Sequence, residues 1–315
     1  MCCAGAAVTL RCLMGYVGER IAPCVSCKRL STDGTLKASS TTSRGLCLEA
    51  VLMPMGWGRE LTLCASTQVG CAVRCRFCAT GRRSGPKSLY GSEIAGQALR
   101  ASSMLGPALR KGVTYGGIVL MGMGEPMLNY GAMVRAMAVV TACGLHGVRS
   151  PSDITASTSG MAPALYRLCR DMPVSIAVSL HLHDGLARRL LVPCFSSAAV
   201  LSMIDSCCYY LRVGGVGRVT VESSMLRDIS DRLSQANGMA RSLARLACLV
   251  NLIPINSIGG GVYSPPRRRC AAGFALAAAQ WRSAIGPRSP RGRDVCSACG
   301  PLRAGGRRTR SPRTT

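Results

Sequence analysis

Aromatic residues are scarce in this chain, which has three Phe, two Trp and eight Tyr among 315 residues. Proteins that bind single-stranded nucleic acid by base stacking need aromatic platforms, so the composition argues against that class. Histidine is scarcer still, at three residues, which gives a histidine metal cluster little support. No apolar run is long enough to span a bilayer, so no membrane association through a spanning helix is predicted.

Acidic residues are also few. Asp and Glu number 14 against 39 Lys and Arg, which gives a formal charge of +25. Such a surplus favours a polyanionic partner, and without a membrane-spanning segment nucleic acid is the better candidate. Because aromatics are few, any RNA binding is expected to depend on charge and shape. The length suits one barrel-sized domain with a large core.

Cysteine, in contrast, is abundant at 19 residues. Dense disulfides are typical of small secreted chains, and this chain is neither small nor visibly secretory. We therefore expect reduced thiols in the cytoplasm. An organelle matrix is the alternative, because the first thirty residues faintly resemble a presequence.

From about residue 61 onward, short apolar runs alternate with amphipathic stretches, the pattern of repeated β-α units around a parallel sheet. Strands are predicted at 61–65, 117–121, 154–157, 174–180, 218–222 and 249–254. Helices are predicted at 92–104, 130–143, 162–170, 198–211, 231–247 and 271–282. This predicts an α/β fold, a partial (β/α)6 barrel with its chemistry at the carboxyl ends of the strands.

Three cysteines follow the first predicted strand with the spacing C-x3-C-x2-C, at Cys71, Cys75 and Cys78. This spacing supplies three thiolates to a four-iron cluster and leaves one iron open. S-Adenosylmethionine can bind such an open iron and be cleaved to a radical. Alternatively, Cys75 and Cys78 form half of a zinc ribbon, with the other half at Cys24 and Cys27 or at Cys296 and Cys299. That alternative leaves Cys71 without a role.

Further polar residues follow the other predicted strands. Gly122 and Gly124 are a weak dinucleotide signal without a third glycine, whereas Glu125 could bind a cationic amino group. The side chains of Ser157, Ser179, His181 and Asn256 suit hydrogen bonds to ribose and adenine, although each alone is more often a helix cap or a satisfied turn residue.

Six segments occur in a characteristic order: LCASTQVGC (63–71), MGMGEP (121–126), STSG (157–160), SLH (179–181), NLIPIN (251–256) and ACG (298–300). Together they resemble the RlmN/Cfr family of radical S-adenosylmethionine adenosine methyltransferases, over about residues 49 to 302. The resemblance implies a core at 49–302, preceded by a poorly defined segment at 1–48 and followed by a basic flexible tail at 303–315. The family's N-terminal helical RNA-binding domain is expected to be mostly absent.

The resemblance also implies the cofactors, which are one [4Fe-4S] cluster on Cys71, Cys75 and Cys78 and two molecules of S-adenosylmethionine per turnover. The residues implied to bind S-adenosylmethionine are Gly124, Glu125, Ser157, Ser179, Leu180, His181 and Asn256. The implied substrate is adenosine C2 of large-subunit ribosomal RNA, with tRNA as a candidate second substrate. A Cfr-type enzyme that modifies C8 is the alternative.

Three further residues receive catalytic roles from the resemblance. Cys299 is methylated and becomes the carrier of the one-carbon unit. Glu49 accepts the ring proton, and Cys64 forms a transient disulfide with Cys299 that frees the product. A monomer served by an electron donor such as flavodoxin or ferredoxin is implied. Two hypotheses from other classes stay open: a non-catalytic RNA-binding protein with a zinc knuckle, and a radical enzyme with a different substrate.

Near the end of the chain, Pro287 and Pro290 fall where the family has its last strand. Proline cannot donate a hydrogen bond to a sheet, so the two residues argue against a central strand there.

Overall fold

A ten-stranded sheet runs through the part of the chain that the computed structural model describes. The described residues are 22–55, 60–83, 85–109, 112–196, 199–215, 219–256, 262–267, 270, 272–274, 284–287, 291–297 and 302. No helix within these ranges is long and apolar enough to cross a membrane.

The first half of the sheet is an antiparallel meander in which each strand pairs with the next. Its turn between the first two strands contains Gly34 at φ +82°, and the Asp33 carboxylate there accepts a hydrogen bond from the Thr35 N–H at 2.9 Å. Such Asp and Gly residues favour a tight turn. The strands are β1 (Cys24–Leu30), β2 (Leu36–Thr41), β3 (Cys47–Met55) and β4 (Glu60–Cys64).

After β4 the chain forms a short two-stranded sheet and then the parallel strands. The short sheet consists of β5 (Gln68–Val69) and β6 (Lys87–Ser88). The parallel strands continue from β4 in chain order, as β7 (Thr114–Leu120), β8 (Ile154–Thr158), β9 (Ser175–Ser179), β10 (Val219–Met225), β11 (Cys248–Pro254) and β12 (Ala284–Pro287).

Helices connect the parallel strands, as they must where a chain returns to the same end of a sheet. The α-helices are α1 (Gly91–Leu109), α2 (Tyr130–Ala142), α3 (Ala162–Asp171), α4 (Gly185–Leu191), α5 (Ala199–Arg212) and α6 (Leu233–Leu243). Short 3-10 turns occur at Pro126–Asn129, Leu145–Gly147 and Pro151–Asp153.

The burial pattern explains why these segments take these forms. In α3 the buried residues are Ala162, Leu165 and Leu168, one apolar stripe at helical spacing, while Arg167 and Arg170 are exposed. In β10 six of the seven residues are buried, as expected for a strand covered on both faces. The main core therefore lies between the sheet and its helices.

The predicted α/β fold is confirmed, because helices alternate with parallel strands along the sheet. Each of the six predicted strands lies within three residues of an observed strand at both ends. The predicted helix at 271–282 lies largely outside the described residues. The last strand, β12, is at the sheet edge, where Pro287 is tolerated.

Six of the described strands were not predicted: β1, β2, β3, β5, β6 and β12. Sequence analysis treated residues 1–48 as a poorly defined segment, whereas β1 and β2 belong to the same sheet as the parallel strands. The reason lies in their composition, since six of the seven residues of β1 are exposed and the strand includes Lys28 and Arg29. The division of the chain at residue 48 stays a prediction.

Candidate active site

The carboxyl ends of the parallel strands surround a cavity of about 170 Å³. This is the end at which barrels of repeated β-α units place their chemistry. Residues from the ends of six successive parallel strands line it, among them Cys64, Glu125, Ser157, Ser179, Glu222 and Ile253.

The cysteine loop closes one side of this cavity, with Cys71, Cys75 and Cys78 all in its lining. The loop folds back tightly on itself. Arg74 takes a left-handed conformation at φ 55°, and a Cβ on Gly81 would lie 2.9 Å from the Cys75 backbone nitrogen. A close chain crossing of this kind needs glycine. Local backbone geometry therefore turns the three thiols toward one space.

The three thiols lie in an apolar surrounding, packed against a cluster that includes Val73, Phe77 and Leu182. Burial raises the pKa of the Cys71 thiol to about 12, and the nearby charges of Glu125 and Cys78 add to the effect. Burial likewise raises the pKa of Cys75 well above its usual range. Thiols of this kind stay protonated at neutral pH until a metal displaces their protons.

These residues fit an iron–sulfur cluster. Cys71, Cys75 and Cys78 are free thiols. Across the described ranges, no three His, Cys, Asp or Glu side chains converge on a point where a single metal ion would sit. A cluster does not require such convergence, because each cysteine ligates a different iron. The three thiols in the lining of one cavity therefore fit the ligand set of a cluster.

Glu125 is a buried carboxylate in the same cavity, with 3% of its surface exposed. Its Oε2 accepts a hydrogen bond from the Ser159 N–H at 2.8 Å, and its Oε1 accepts one from the Met127 N–H at 3.3 Å. Burial raises the pKa of this carboxyl, and the hydrogen bonds oppose the rise. A cationic ligand would offset the cost of burying its charge.

The glycines before Glu125 allow its close approach to the chain after β4. A Cβ on Gly124, at φ +102°, would lie 2.5 Å from the Gln68 Cβ. A Cβ on Gly122 would lie 2.6 Å from the Ala65 carbonyl oxygen. Gln68 completes the junction, because its Oε1 accepts a hydrogen bond from the Glu125 N–H at 2.9 Å. The Gly-Met-Gly-Glu segment is thus a tightly packed support for one carboxylate.

Three of the polar residues that were predicted at strand ends, Ser157, Ser179 and His181, line the cavity. The His181 Nδ1 accepts a hydrogen bond from the Ser224 N–H at 3.2 Å, and its ring packs edge-on against Phe77. Burial lowers the pKa of His181 to about 3, and the charge of Arg188 adds to this, so the ring is neutral.

The two remaining predicted ligand residues, Leu180 and Asn256, are not part of the cavity lining. Leu180 is fully buried, and its N–H donates to the Glu222 carbonyl at 3.0 Å. The Asn256 Nδ2 is a buried donor without a hydrogen-bond partner in the described ranges. An unpaired buried donor is costly, so Asn256 is suited to a ligand that accepts its hydrogen bond.

Cys64 ends β4 and lines the cavity, whereas Glu49 is buried beside it on β3. Strand pairing sets Val51 opposite Cys64, so Glu49 lies two residues further, past the carboxyl end of β4. There the Ser66 hydroxyl donates to the Glu49 carbonyl oxygen at 2.6 Å. The two predicted catalytic residues are therefore near neighbours across two strands.

Cys299 lies outside the described residues. Residues on both sides of it, Ser297 and Leu302, line the cavity. The Thr80 hydroxyl, from the end of the cysteine loop, donates to the Leu302 carbonyl at 3.0 Å. The flanks of Cys299 are thus attached to the same cavity as the three loop cysteines.

The chain is similar to known proteins over most of its length. It is 34% identical over 299 residues to a dual-specificity RNA methyltransferase RlmN from Marinomonas sp. (strain MWYL1), covering 93% of this chain and 79% of that protein. A protein of the same description from Pseudomonas fluorescens (strain SBW25) is also 34% identical, with coverage of 93% and 76%. This chain belongs to the RlmN family.

A solved structure agrees with this assignment. A radical SAM methyltransferase from Sphaerobacter thermophilus superimposes with a TM-score of 0.84 at 33% identity, covering 94% of this chain and 85% of that one. No model in a scan of protein-family models matches the chain. Radical S-adenosylmethionine RNA methyltransferase is accordingly the function class of this RlmN-family protein, as the sequence predicted. The family implies S-adenosylmethionine and a four-iron cluster as cofactors.

Sequence analysis missed two charged residues of this RlmN-family site. Arg188 on α4 is 1% exposed, and its Nε donates to the Leu180 carbonyl at 2.9 Å. Burial lowers the pKa of Arg188 to about 10, against the opposing charges of Cys75 and Glu125. Glu222 lines the cavity from β10, where its Oε1 accepts a hydrogen bond from the Asn251 Nδ2 at 3.1 Å. A carboxylate inside an apolar strand was the available signal for Glu222.

Proposed function

We propose that this RlmN-family protein methylates C2 of adenosine in large-subunit ribosomal RNA, with tRNA as a second substrate. The observation that carries the proposal is one cavity that joins three cysteine thiols, a buried glutamate, Cys64 and the described flanks of Cys299. The relatives' description as dual-specificity RNA methyltransferases and the formal charge of +25 support RNA as the substrate.

Cys71, Cys75 and Cys78 are proposed to hold one [4Fe-4S] cluster. The bound cluster and S-adenosylmethionine together supply the deoxyadenosyl radical that C2 chemistry needs, because this electron-poor carbon resists polar methylation. The wall formed by Phe77, Val73 and their apolar neighbours limits water at the thiols.

Glu125 is proposed to bind the amino group of S-adenosylmethionine. The buried carboxylate is held in place by two backbone N–H groups, so it needs no rearrangement to receive a cation. Gly124 supports its position, as the tight contact with Gln68 indicates. Ser157, Ser179, His181 and Asn256 are proposed to orient the ribose and adenine, and Leu180 to contribute packing behind them. Two molecules of S-adenosylmethionine are consumed per turnover under this proposal.

Three of the chain's own side chains complete the proposed chemistry. Cys299 carries the methyl group, whose carbon becomes attached to adenine C2. Glu49 accepts the ring proton that leaves adenine C2. Cys64 then attacks the Cys299 sulfur, so that a disulfide forms and the sulfur–carbon bond breaks. The freed CH2 carbon takes up a proton and the RNA is released with a methyl group. The position of Cys64 in the cavity lining supports this role.

The partner assignments follow from the same proposal. An electron donor such as flavodoxin or ferredoxin reduces the cluster, and the chain acts as a monomer. Cys71, Cys75 and Cys78 are free thiols, which fits a reducing compartment such as the cytoplasm.

Anaerobic reconstitution followed by nucleoside mass spectrometry tests the proposed reaction. Incubation with a ribosomal RNA fragment, S-adenosylmethionine and a reductant is expected to give 2-methyladenosine. The Cys299→Ala variant is expected to form 5′-deoxyadenosine but no methylated RNA. Detection of 8-methyladenosine instead would assign the chain to the C8 reaction, and about one zinc without iron per chain would contradict the radical mechanism.

A further inference from the structure

Lys37 is a buried cation with two partners near the active site. Its Nζ lies 2.9 Å from the Glu49 Oε1, with the two side chains only 6% and 5% exposed. The same Nζ donates a hydrogen bond to the Cys296 carbonyl oxygen at 3.1 Å. One ammonium group therefore joins the predicted proton acceptor to the segment that leads to Cys299.

The ion pair is not explained by fold stability. Taking an ammonium and a carboxylate out of water is costly, and well-packed apolar residues often replace such pairs without loss. Lys37 is on β2, with the exposed Arg29 of β1 opposite it on one side and the buried apolar surface at Val51 of β3 on the other. An apolar residue at position 37 would continue that surface, so a charge there points to a requirement other than packing.

The segment that contains Cys296 is attached to the β1–β2 turn by contacts besides Lys37. The Ser31 hydroxyl and the Thr32 N–H donate to the Asp294 carboxylate, the latter at 3.1 Å. The Gly292 N–H donates to the Asp33 carboxylate at 2.8 Å. These contacts hold the segment without touching Glu49. Lys37 in turn joins this segment to the Glu49 carboxylate.

We propose that Lys37 is a positioning residue that fixes the Glu49 carboxylate relative to the segment that carries Cys299. The inference rests on the proposed function, in which Glu49 takes the ring proton from adenine C2 while the RNA is attached to Cys299. An ammonium has three donors, so Lys37 can hold both partners at once.

The variants Lys37→Met, Lys37→Arg, Glu49→Gln and Lys37→Met/Glu49→Gln test this role in the reconstituted full chain. Three products are measured: 5′-deoxyadenosine, 2-methyladenosine, and the covalent RNA–protein adduct on a denaturing gel. Lys37→Met is expected to lower 2-methyladenosine formation roughly 10- to 100-fold, as misplacement of a reacting group does. Deoxyadenosine formation and Cys299 methylation persist, and the adduct accumulates as in Glu49→Gln.

Two comparisons distinguish a role of Lys37 in positioning Glu49 from a general role in supporting the fold. In the Glu49→Gln background, Lys37→Met is expected to cause no further loss of 2-methyladenosine formation. The effects of two substitutions are not additive when one residue acts through the other. Lys37→Arg, which keeps the charge, recovers part of the activity. Ser31→Ala is the matched control, since it removes an anchor of the same segment but leaves the Lys37–Glu49 pair, and it stays close to wild-type product formation. If Lys37→Met lacks the wild-type circular dichroism spectrum, Lys37→Gln is measured against the same criteria.

The possible failures are distinguishable. Absence of 2-methyladenosine with the wild type, or normal turnover by Glu49→Gln, overturns the proposed function and this inference with it. If those two behave as expected, three results overturn the role of Lys37 alone. The first is wild-type 2-methyladenosine formation by Lys37→Met, and the second is loss of Cys299 methylation in that variant. The third is that Lys37→Met lowers 2-methyladenosine formation by the same factor in the Glu49→Gln background as in the wild type.

Discussion

The guanidinium of Arg188 and the carbonyl oxygen of Leu180 are joined by a hydrogen bond of 2.9 Å inside the protein. The same side chain donates to the Ser179 carbonyl at 3.0 Å and to the Ser159 carbonyl. Arg188 therefore links α4 to the ends of β8 and β9, the strands that carry Ser157 and Ser179. Its burial makes the arginine part of the framework under the proposed adenosine site.

Replacing Arg188 by Met is expected to destabilise the protein by about 3 kcal/mol, because buried carbonyl acceptors lose a charged donor. Urea unfolding monitored by circular dichroism measures the change. Arg189→Met is the matched control, since this neighbour is exposed, and its effect is expected to stay within about 0.5 kcal/mol. Equal midpoints for the two variants would show that the buried contacts contribute little.

A Gly124→Ala substitution is expected to abolish binding of S-adenosylmethionine, because the new Cβ would lie 2.5 Å from the Gln68 Cβ. The clash moves the segment that presents Glu125. Equilibrium dialysis with the reconstituted chain measures the loss, and the matched control is Gly45→Ala. Gly45 also has a positive φ of +72° but no atom within 4 Å of its Cβ position, so only about 1 kcal/mol of backbone strain is expected there. Normal binding by Gly124→Ala would contradict the assignment of this segment.

Features that depend on local sequence could be predicted, whereas features that depend on tertiary packing could not. The strand carrying Ile118 and Leu120 could be located because its apolar run is a local property of the sequence. The place of Cys71 and Glu125 at one cavity follows from motifs at strand ends, since parallel strands end at the same edge. The burial of Arg188 beside an exposed Arg189 could not be predicted, because it depends on how α4 packs.

The same limit applies to Lys37 and β2. The sequence of β2, LKASST, contains no strong apolar run. The strand is specified by its pairing with β1 and β3. The contact from Lys37 to Cys296 spans 259 positions in the chain. A contact of this kind exists only after the sheet has formed, so no local sequence pattern predicts it.

His146 is expected to make the fold less stable in mild acid. It is 1% exposed, and its Nε2 lies 2.9 Å from the Leu61 carbonyl oxygen. Burial lowers the pKa of His146 from 6.5 to about 4, and the contact with Leu61 opposes the shift. Below pH 6.5 the unfolded chain binds a proton that the folded chain does not. The stability is therefore complete above pH 6.5 and is lost as the pH falls toward 4.

The size of this effect can be measured by urea unfolding at two pH values. Between pH 7 and pH 5 the wild type is expected to lose roughly 2 kcal/mol more than His146→Gln, which has no titrating group there. His183→Gln is the control for removing a histidine that is only partly buried. An identical pH dependence of wild type and His146→Gln would show that His146 is not responsible.

Cys71 distinguishes the iron–sulfur cluster from the zinc alternative, because only the cluster requires this residue. The Cys71→Ala variant is expected to keep the wild-type fold but to lose most of the iron, from about four atoms per chain, after anaerobic reconstitution. Cys24→Ala is the matched control, since Cys24 is an exposed thiol on β1, away from the cavity lining, and it is expected to bind iron as the wild type does. Burial also raises the pKa of Cys71 to about 12, so in the metal-free chain iodoacetamide should modify Cys71 more slowly than exposed Cys24 at pH 8. Full zinc binding by Cys71→Ala, with loss of folding only in Cys75→Ala and Cys78→Ala, would favour the zinc knuckle.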